Sequence, residues 1–323
     1  MCSEVFFIFF EAPRKSTEPR SSYCESARKP NPTKDIAFLI GRSARFALPF
    51  SHHTGSPKML VTTKRMLSNA SKQGFAIPSA NLVDFLTAKS YAEVAAQLQK
   101  PLILSMPSCH LEHFGLKEAA ITAFLLSDIY DSQMALHLDA CHDFEVIKEA
   151  IELGFTSVML DASMDDFETN ASRTKAVVDY AHLHGVTVEG KIGGHHRSIT
   201  DPAEAREFTQ ITGVDSLRIH INQAQDINSD PALINFEQLK AIRNEVSIPL
   251  TMNANALSGY ENLTKCAELG IAKVHIFSDF MRAGTQAAKT GDYSNYFEMK
   301  KAIATQIGRT LSNYYQVLLT ETS

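Results

Sequence analysis

From Met59 onward, short runs rich in apolar and β-branched residues alternate with longer amphipathic stretches. That alternation restricts the chain to a parallel sheet with helical crossovers. Strands are expected at Ala76–Ser79, Pro101–Met106, Met134–Asp139, Ser157–Asp161, Thr187–Ile192, Ser216–Ile221, Ile248–Asn253 and Lys273–Phe277. Helices are expected between them, among others at Phe144–Leu153, Phe167–His184, Pro202–Thr212, Phe236–Glu245 and Leu263–Leu269. Gly154, Gly185 and Gly270 each follow such a helix, where a left-handed cap favours glycine. Eight strands with intervening helices predict an α/β fold, a single (β/α)8 TIM barrel over residues 59–323. A doubly wound open sheet is the alternative, but no GxGxxG follows the first strand.

Residues 1–58 read differently. Ala12 to Ser22 and Ser51 to Lys58 are rich in Ser, Pro, Arg and Lys and hold no period of 2 or 3.6. Such a segment buries too little apolar surface to offset its ordering entropy, so a disordered or non-homologous extension, or an upstream start with Met59 as the functional beginning, is expected. Glu4, Glu11, Glu18 and Glu25 argue against a transit peptide. Val5 to Phe10 is too short an apolar run for a secretory signal. No apolar stretch reaches the roughly 18 residues of a membrane span. The net charge of −5 and the lack of a basic run argue against nucleic-acid and anionic-membrane partners. Cys2, Cys24, Cys109, Cys141 and Cys266 are odd in number and form no CxxC pair, which fits a reducing, cytoplasmic setting.

Chemistry in such barrels collects at the C-terminal ends of the strands. Period-2 alternation turns His137 and Asp139 inward on strand three, Ser157, Met159 and Asp161 on strand four, and Glu189 and Lys191 on strand five. Strand six offers Arg218, His220 and Asn222, strand seven Thr251, Asn253 and Asn255, and strand eight His275. So much charge inside a barrel needs partners, because unpaired buried charges cost several kcal/mol. The groups either satisfy one another as a buried network or line a ligand pocket; their clustering favours the pocket. The pairs His52–His53 and His195–His196 read as solvated loop residues.

Several runs carry a family resemblance. They include His137-Leu138-Asp139, Gly154-Phe155-Thr156-Ser157-Val158-Met159, Tyr180-Ala181-His182, Val188-Glu189, Thr200-Asp201-Pro202, Ile248-Pro249-Leu250 and Glu268-Leu269-Gly270-Ile271. In order and with few gaps, from about Met59 to Arg309, the chain resembles class II ketose-bisphosphate aldolases, among them fructose- and tagatose-bisphosphate aldolases. The resemblance implies reversible aldol cleavage of a ketose phosphate to dihydroxyacetone phosphate and an aldehyde. It also implies a zinc ion held by three histidines as Lewis acid, with an aspartate as proton carrier. The aspartate is Asp139. The three histidine positions are Ala140, Gln225 and Asn253, so no metal ligand set is retained there and no cofactor is expected. Asn81, Ser278 and Asp279 match family positions near the substrate, and His275 replaces an asparagine. The glycines and serine of the phosphate loop are absent, and the second glutamate of a Glu-x-Glu run is Lys191.

Cys141, His142, His220 and His275 are the other metal-ligating residue types near this rim, and Cys141 shares the parity of Asp139 if the strand stays regular. The swap has a charge logic, since Lys191 and Arg218 place two positive charges where a dication would neutralise Asp139, Asp161 and Glu189. A Schiff-base route through Lys191 is opposed by the nearby carboxylates. Two functions compete, with a metal-free lyase or isomerase on a different sugar acid or phosphate between them. One is aldol cleavage; the other is a catalytically inactive homologue that binds a phosphorylated sugar or other small anion or supports an aldolase paralogue. Asp139 is the candidate catalytic residue, and Asn81, Lys191, Arg218, His220, Asn253, His275, Ser278 and Asp279 are the candidate binding residues. A homo-oligomer or an assembly with a paralogue is the expected quaternary state.

Overall fold

The computed structural model describes residues 60–193, 199–221, 234–254 and 258–319. Eight parallel strands close into a barrel in sequence order: β1 (Ile77–Asn81), β2 (Leu102–Pro107), β3 (Met134–Cys141), β4 (Ser157–Leu160), β5 (Thr187–Lys191), β6 (Ser216–Arg218), β7 (Leu250–Ala254) and β8 (Ile271–Ile276). The expected (β/α)8 barrel is therefore the fold. The N-terminal extension, His195–His196, Asn222, Gln225 and Asn255 lie outside the described residues.

The helices are α1 (Thr63–Gln73), α2 (Phe85–Gln97), α3 (Leu116–Ile129), α4 (Phe144–Glu152) and α5 (Phe167–Leu183). They continue with α6 (Pro202–Thr212), α7 (Phe236–Glu245), α8 (Tyr260–Glu268), α9 (Ser278–Thr290) and α10 (Tyr296–Leu318). Local chemistry starts several of them. Asp143, Asp166, Asp201 and Asn235 cap the exposed N–H groups of α4 to α7, and Pro202 opens α6 where its missing N–H has no helical partner. Gly154 and Gly270 have φ of 95° and 102°, in line with the expected left-handed caps.

Two layers of packing hold the barrel. Outward residues such as Leu104, Leu138, Val158, Leu217 and Val274 join the helices in the main core. At the N-terminal end, α1 closes the barrel, where Met66, Leu67 and Ala70 pack on Ile77, Ile103, Ala135 and Ala272. The Thr63 and Thr187 hydroxyls meet there at 2.8 Å. That seal leaves the opposite, C-terminal end as the mouth.

Two irregularities set what faces inward. Between β7 and β8 the register moves from Leu250–Ile271 to Thr251–Lys273, leaving Ala272 as an extra residue. Ile271 thereby stays in the outer core while Lys273 turns into the barrel. In β3 the register shifts between Leu138 and Cys141, and Ala140 takes a left-handed φ of 48°. The Ser108 hydroxyl donates to the Ala140 carbonyl at 2.7 Å across this kink. Cys141 is consequently flipped into the outer core, its thiol donating to the Asp143 carbonyl, so the parity it was expected to share with Asp139 is broken.

A candidate active site built on a buried charge network

The centre of the mouth is Arg218, at the end of β6 and almost fully buried. Its Nη2 donates to Asp139 Oδ1 at 2.6 Å, and its Nε donates to Glu189 Oε1 at 2.7 Å. Nη2 also lies 2.6 Å from His275 Nε2. If that nitrogen accepts, the imidazole proton sits on Nδ1, which is 3.6 Å from Asp139 Oδ2. Thr251 Oγ1 donates to Glu189 Oε1 at 3.0 Å, and the Lys273 ammonium pairs with Glu189 Oε2. His137 places Nδ1 2.8 Å from Ser157 Oγ and turns Nε2 inward, 3.9 Å from both Asp139 and Glu189.

The charge states follow from burial and these partners. Burial raises the Asp139 carboxyl, but Arg218, then His275 and His137, outweigh it and hold the group well below the usual carboxylate range. Burial also raises Glu189, and Lys273 and Arg218 pull it well below its ordinary value. Burial, then Arg218 and Lys273, bring His275 down to about 4. Burial and then Lys273 hold His137 well below its ordinary value. Both rings are thus neutral at pH 7 beside two ionised carboxylates.

A second pair stands closer to solvent. Lys191 Nζ donates to Asp161 Oδ2 at 2.7 Å, while Ser163 Oγ donates to Asp161 Oδ1 at 2.7 Å. Burial raises Asp161, but Lys191 and the Ser163 bonds bring it below its ordinary value. Lys191 keeps 26% of its side chain exposed, whereas Arg218 keeps 5%. His220, partly buried beyond Arg218, is lowered by burial and by the charge of Lys191.

The structure brings Asp139, Arg218 and His275 into direct contact, and places Lys191, His220 and exposed Asn253 at the ends of β5 to β7. Asn81 is buried at the end of β1, and Ser278 is half-buried at the start of α9. Asp279 is held elsewhere. Its buried carboxylate accepts the Tyr314 hydroxyl of α10 and lies 3.3 Å from Arg282, so it ties α9 to α10 rather than joining the mouth cluster. The reading of the rim as a source of metal ligands also changes, since Cys141 faces the core and His142 Nδ1 bonds the Asp161 carbonyl at 2.6 Å.

Lys273 was missed by sequence reasoning, although it stands two residues before His275 on the same strand. The same alternation that turns His275 inward also turns Lys273 inward, and the register between them is regular, so parity alone could have found it. His110 was missed because it lies on a 3-10 turn (Ser108–His110) past β2, where no period applies. Its ring packs on Phe277 at 5.0 Å, and burial and then His113 lower it against the opposing charge of Asp139.

The sequence model of class-II fructose-bisphosphate aldolase matches residues 61–320. The chain belongs to that family. Its fold is similar to the YdjI aldolase of Escherichia coli K12, with 25% identity, a TM-score of 0.77, and 82% of this chain and 99% of that one covered. It is also similar to a fructose-bisphosphate aldolase of Campylobacter jejuni, with 17% identity, a TM-score of 0.70, and 81% and 96% covered. Against that class-II frame, two of the three positions that the resemblance gives to zinc ligands carry a methyl group at Ala140 and a carboxamide at Asn253; the third, Gln225, lies outside the described residues. A methyl group offers no donor atom, and an exposed carboxamide is a poor ligand for zinc beside imidazole or thiolate.

Proposed function

We propose that this class-II aldolase homologue binds a phosphorylated sugar or similar small anion at the barrel mouth without zinc-dependent aldol cleavage. One observation carries the reading. The guanidinium of Arg218 is bonded to Asp139, the residue matching the family's proton carrier, and is itself locked by Glu189 and His275. An aspartate held well below its ordinary pKa by a permanent cation is a weak base for removing a hydroxyl proton. Without a Lewis acid, an enediolate would also lose its main stabilisation.

Lys191 is the group best suited to meet a ligand anion. It is part-exposed, pairs among the described residues with the one carboxylate of Asp161, and has three donors that can rotate from there toward a phosphate. His220, Asn253 and Ser278 supply neutral polar groups around it. Lys191→Met is expected to weaken sugar-phosphate binding about tenfold while costing at most about 1 kcal/mol of stability, as for a part-exposed pair. Calorimetric titration with fructose-1,6-bisphosphate, alongside urea denaturation, checks both; unchanged affinity removes Lys191 from the ligand site.

The deciding experiment is metal analysis of the purified chain together with a cleavage assay on fructose- and tagatose-bisphosphate. Binding without turnover is the expected result. Stoichiometric zinc with turnover that disappears in Asp139→Ala would instead establish the family's lyase reaction, and the non-cleaving reading would be abandoned.

A further inference from the structure

We infer that the Arg218 guanidinium occupies a latent cation site formed by His137, Asp139 and His275, and that removing it would open that site to a divalent metal. This rests on the metal-free reading of the mouth proposed above and deepens it. None of the three residues stands at the positions that the resemblance gives to zinc.

The geometry is specific. One donor atom from each of His137, Asp139 and His275 lies within 4.8 Å of the others, and all three residues are buried. Zinc bound by nitrogen and oxygen at roughly 2.0–2.2 Å separates neighbouring donors by about 3.4 Å, so small side-chain movements would close the set. Ser157 holds His137 Nδ1 and leaves Nε2 turned inward, where the Lys273 ammonium, 3.4 Å away, would have to move aside for a metal. Ser157 is in turn within 3.4 Å of Thr63 Oγ1, so the ring is braced from the floor of the barrel.

Arg218 fills the cluster from the other side. Its Nη2 is 2.6 Å from Asp139 Oδ1 and 2.6 Å from His275 Nε2, distances at which no ion fits between. A guanidinium cannot shed its charge under ordinary conditions, unlike a histidine or lysine. In the wild type, the carboxylates Asp139 and Glu189 are matched by Arg218 and Lys273. A dication added beside them would face two resident cations. Without Arg218 the remaining Asp139, Glu189 and Lys273 carry one uncompensated negative charge, while Glu189 keeps Lys273 and Thr251 as partners. Arg218 thus acts as a built-in replacement for a metal, and the charge it carries excludes one.

The test uses the full chain after chelator treatment, titrated with Co2+ and with Zn2+, followed by calorimetry and by the visible absorption of bound Co2+. Wild type and Arg218→Lys are expected to take up no stoichiometric metal at the mouth. Arg218→Ala is expected to bind Co2+ at least about tenfold more tightly than wild type, with its melting temperature rising on metal addition. Adding His275→Ala to Arg218→Ala should abolish that uptake. Arg218→Gln, which keeps an N–H donor for Asp139 but removes the charge, is the second variant should Arg218→Ala fold poorly without metal.

Equal uptake by wild type and Arg218→Ala would overturn the inference, as would absence of uptake in both Arg218→Ala and Arg218→Gln. These outcomes are separate from the ligand reading. A chain that fails to bind sugar phosphate but gains metal on loss of Arg218 sinks that reading alone.

Discussion

Glu189→Gln is expected to destabilise the protein by about 3–5 kcal/mol, the usual cost of removing one partner from a buried ion pair. Glu189 is fully buried and neutralises two cations at once, accepting from Arg218 Nε at 2.7 Å and pairing with the Lys273 ammonium. Glutamine preserves the volume and leaves a carbonyl for Thr251, so the effect isolates charge. Lys273 has no other carboxylate in contact among the described residues, and its amine would be driven to deprotonate. Urea denaturation measures the loss. An exposed control, Glu145→Gln, breaks only the Lys148 pair and should cost no more than about 1 kcal/mol. Combining Glu189→Gln with Lys273→Met should recover part of the stability, because the stranded cation goes too. A cost at Glu189 no larger than at Glu145 would mean that the network does not hold the barrel together.

Acid should weaken the fold earlier than carboxylate titration alone allows. His275 sits at about 4 in the folded state against an ordinary 6.5, and His137 is lowered as well. Between these values the unfolded chain binds a proton that the folded chain refuses, so stability is fully present above about 6.5 and falls as pH drops toward 4. The His275 share alone is on the order of 3 kcal/mol, at 1.36 kcal/mol per unit. Asp139 and Glu189 are depressed, so their contribution is present above the ordinary carboxylate range and is lost at lower pH still. The two losses have the same sign and occur in sequence. Denaturation midpoints measured from pH 7.5 to 4.5 should stay level down to about 6.5 and slope downward from there. A flat profile over that span would mean that the imidazoles are not held neutral in the fold.

Much of the fold was legible because its signals are local. Helices α6 and α7 run over the expected Pro202–Thr212 and Phe236–Glu245, since Asp201 and Asn235 cap them and Pro202 fixes the first turn. Strand β6 was expected to reach Ile221 but ends at Arg218. Ile219 N still bonds the β7 carbonyl of Thr251, and beyond it His220 N leaves the ladder for the Thr200 hydroxyl. Cys141 was misplaced because the left-handed turn at Ala140 breaks the alternation, and alanine gives no warning of a positive φ.

The sequence by itself determined the barrel, the mouth at its C-terminal end, and the presence of Asp139, Arg218 and His275 there. Periodicity carries that much, because it states which face of a strand a residue takes. Only the tertiary structure decided the pairing. Arg218 meets Asp139 across 79 residues and His275 across 57, and period 2 says nothing about register around a closed sheet. The sequence suggested Lys191 and Arg218 as joint substitutes for a metal. The structure divides their places: Arg218 is locked within the network together with Lys273, and Lys191 stands toward solvent on Asp161. The difference is one of depth in the barrel, which burial and the bulge at Ala272 set and composition does not.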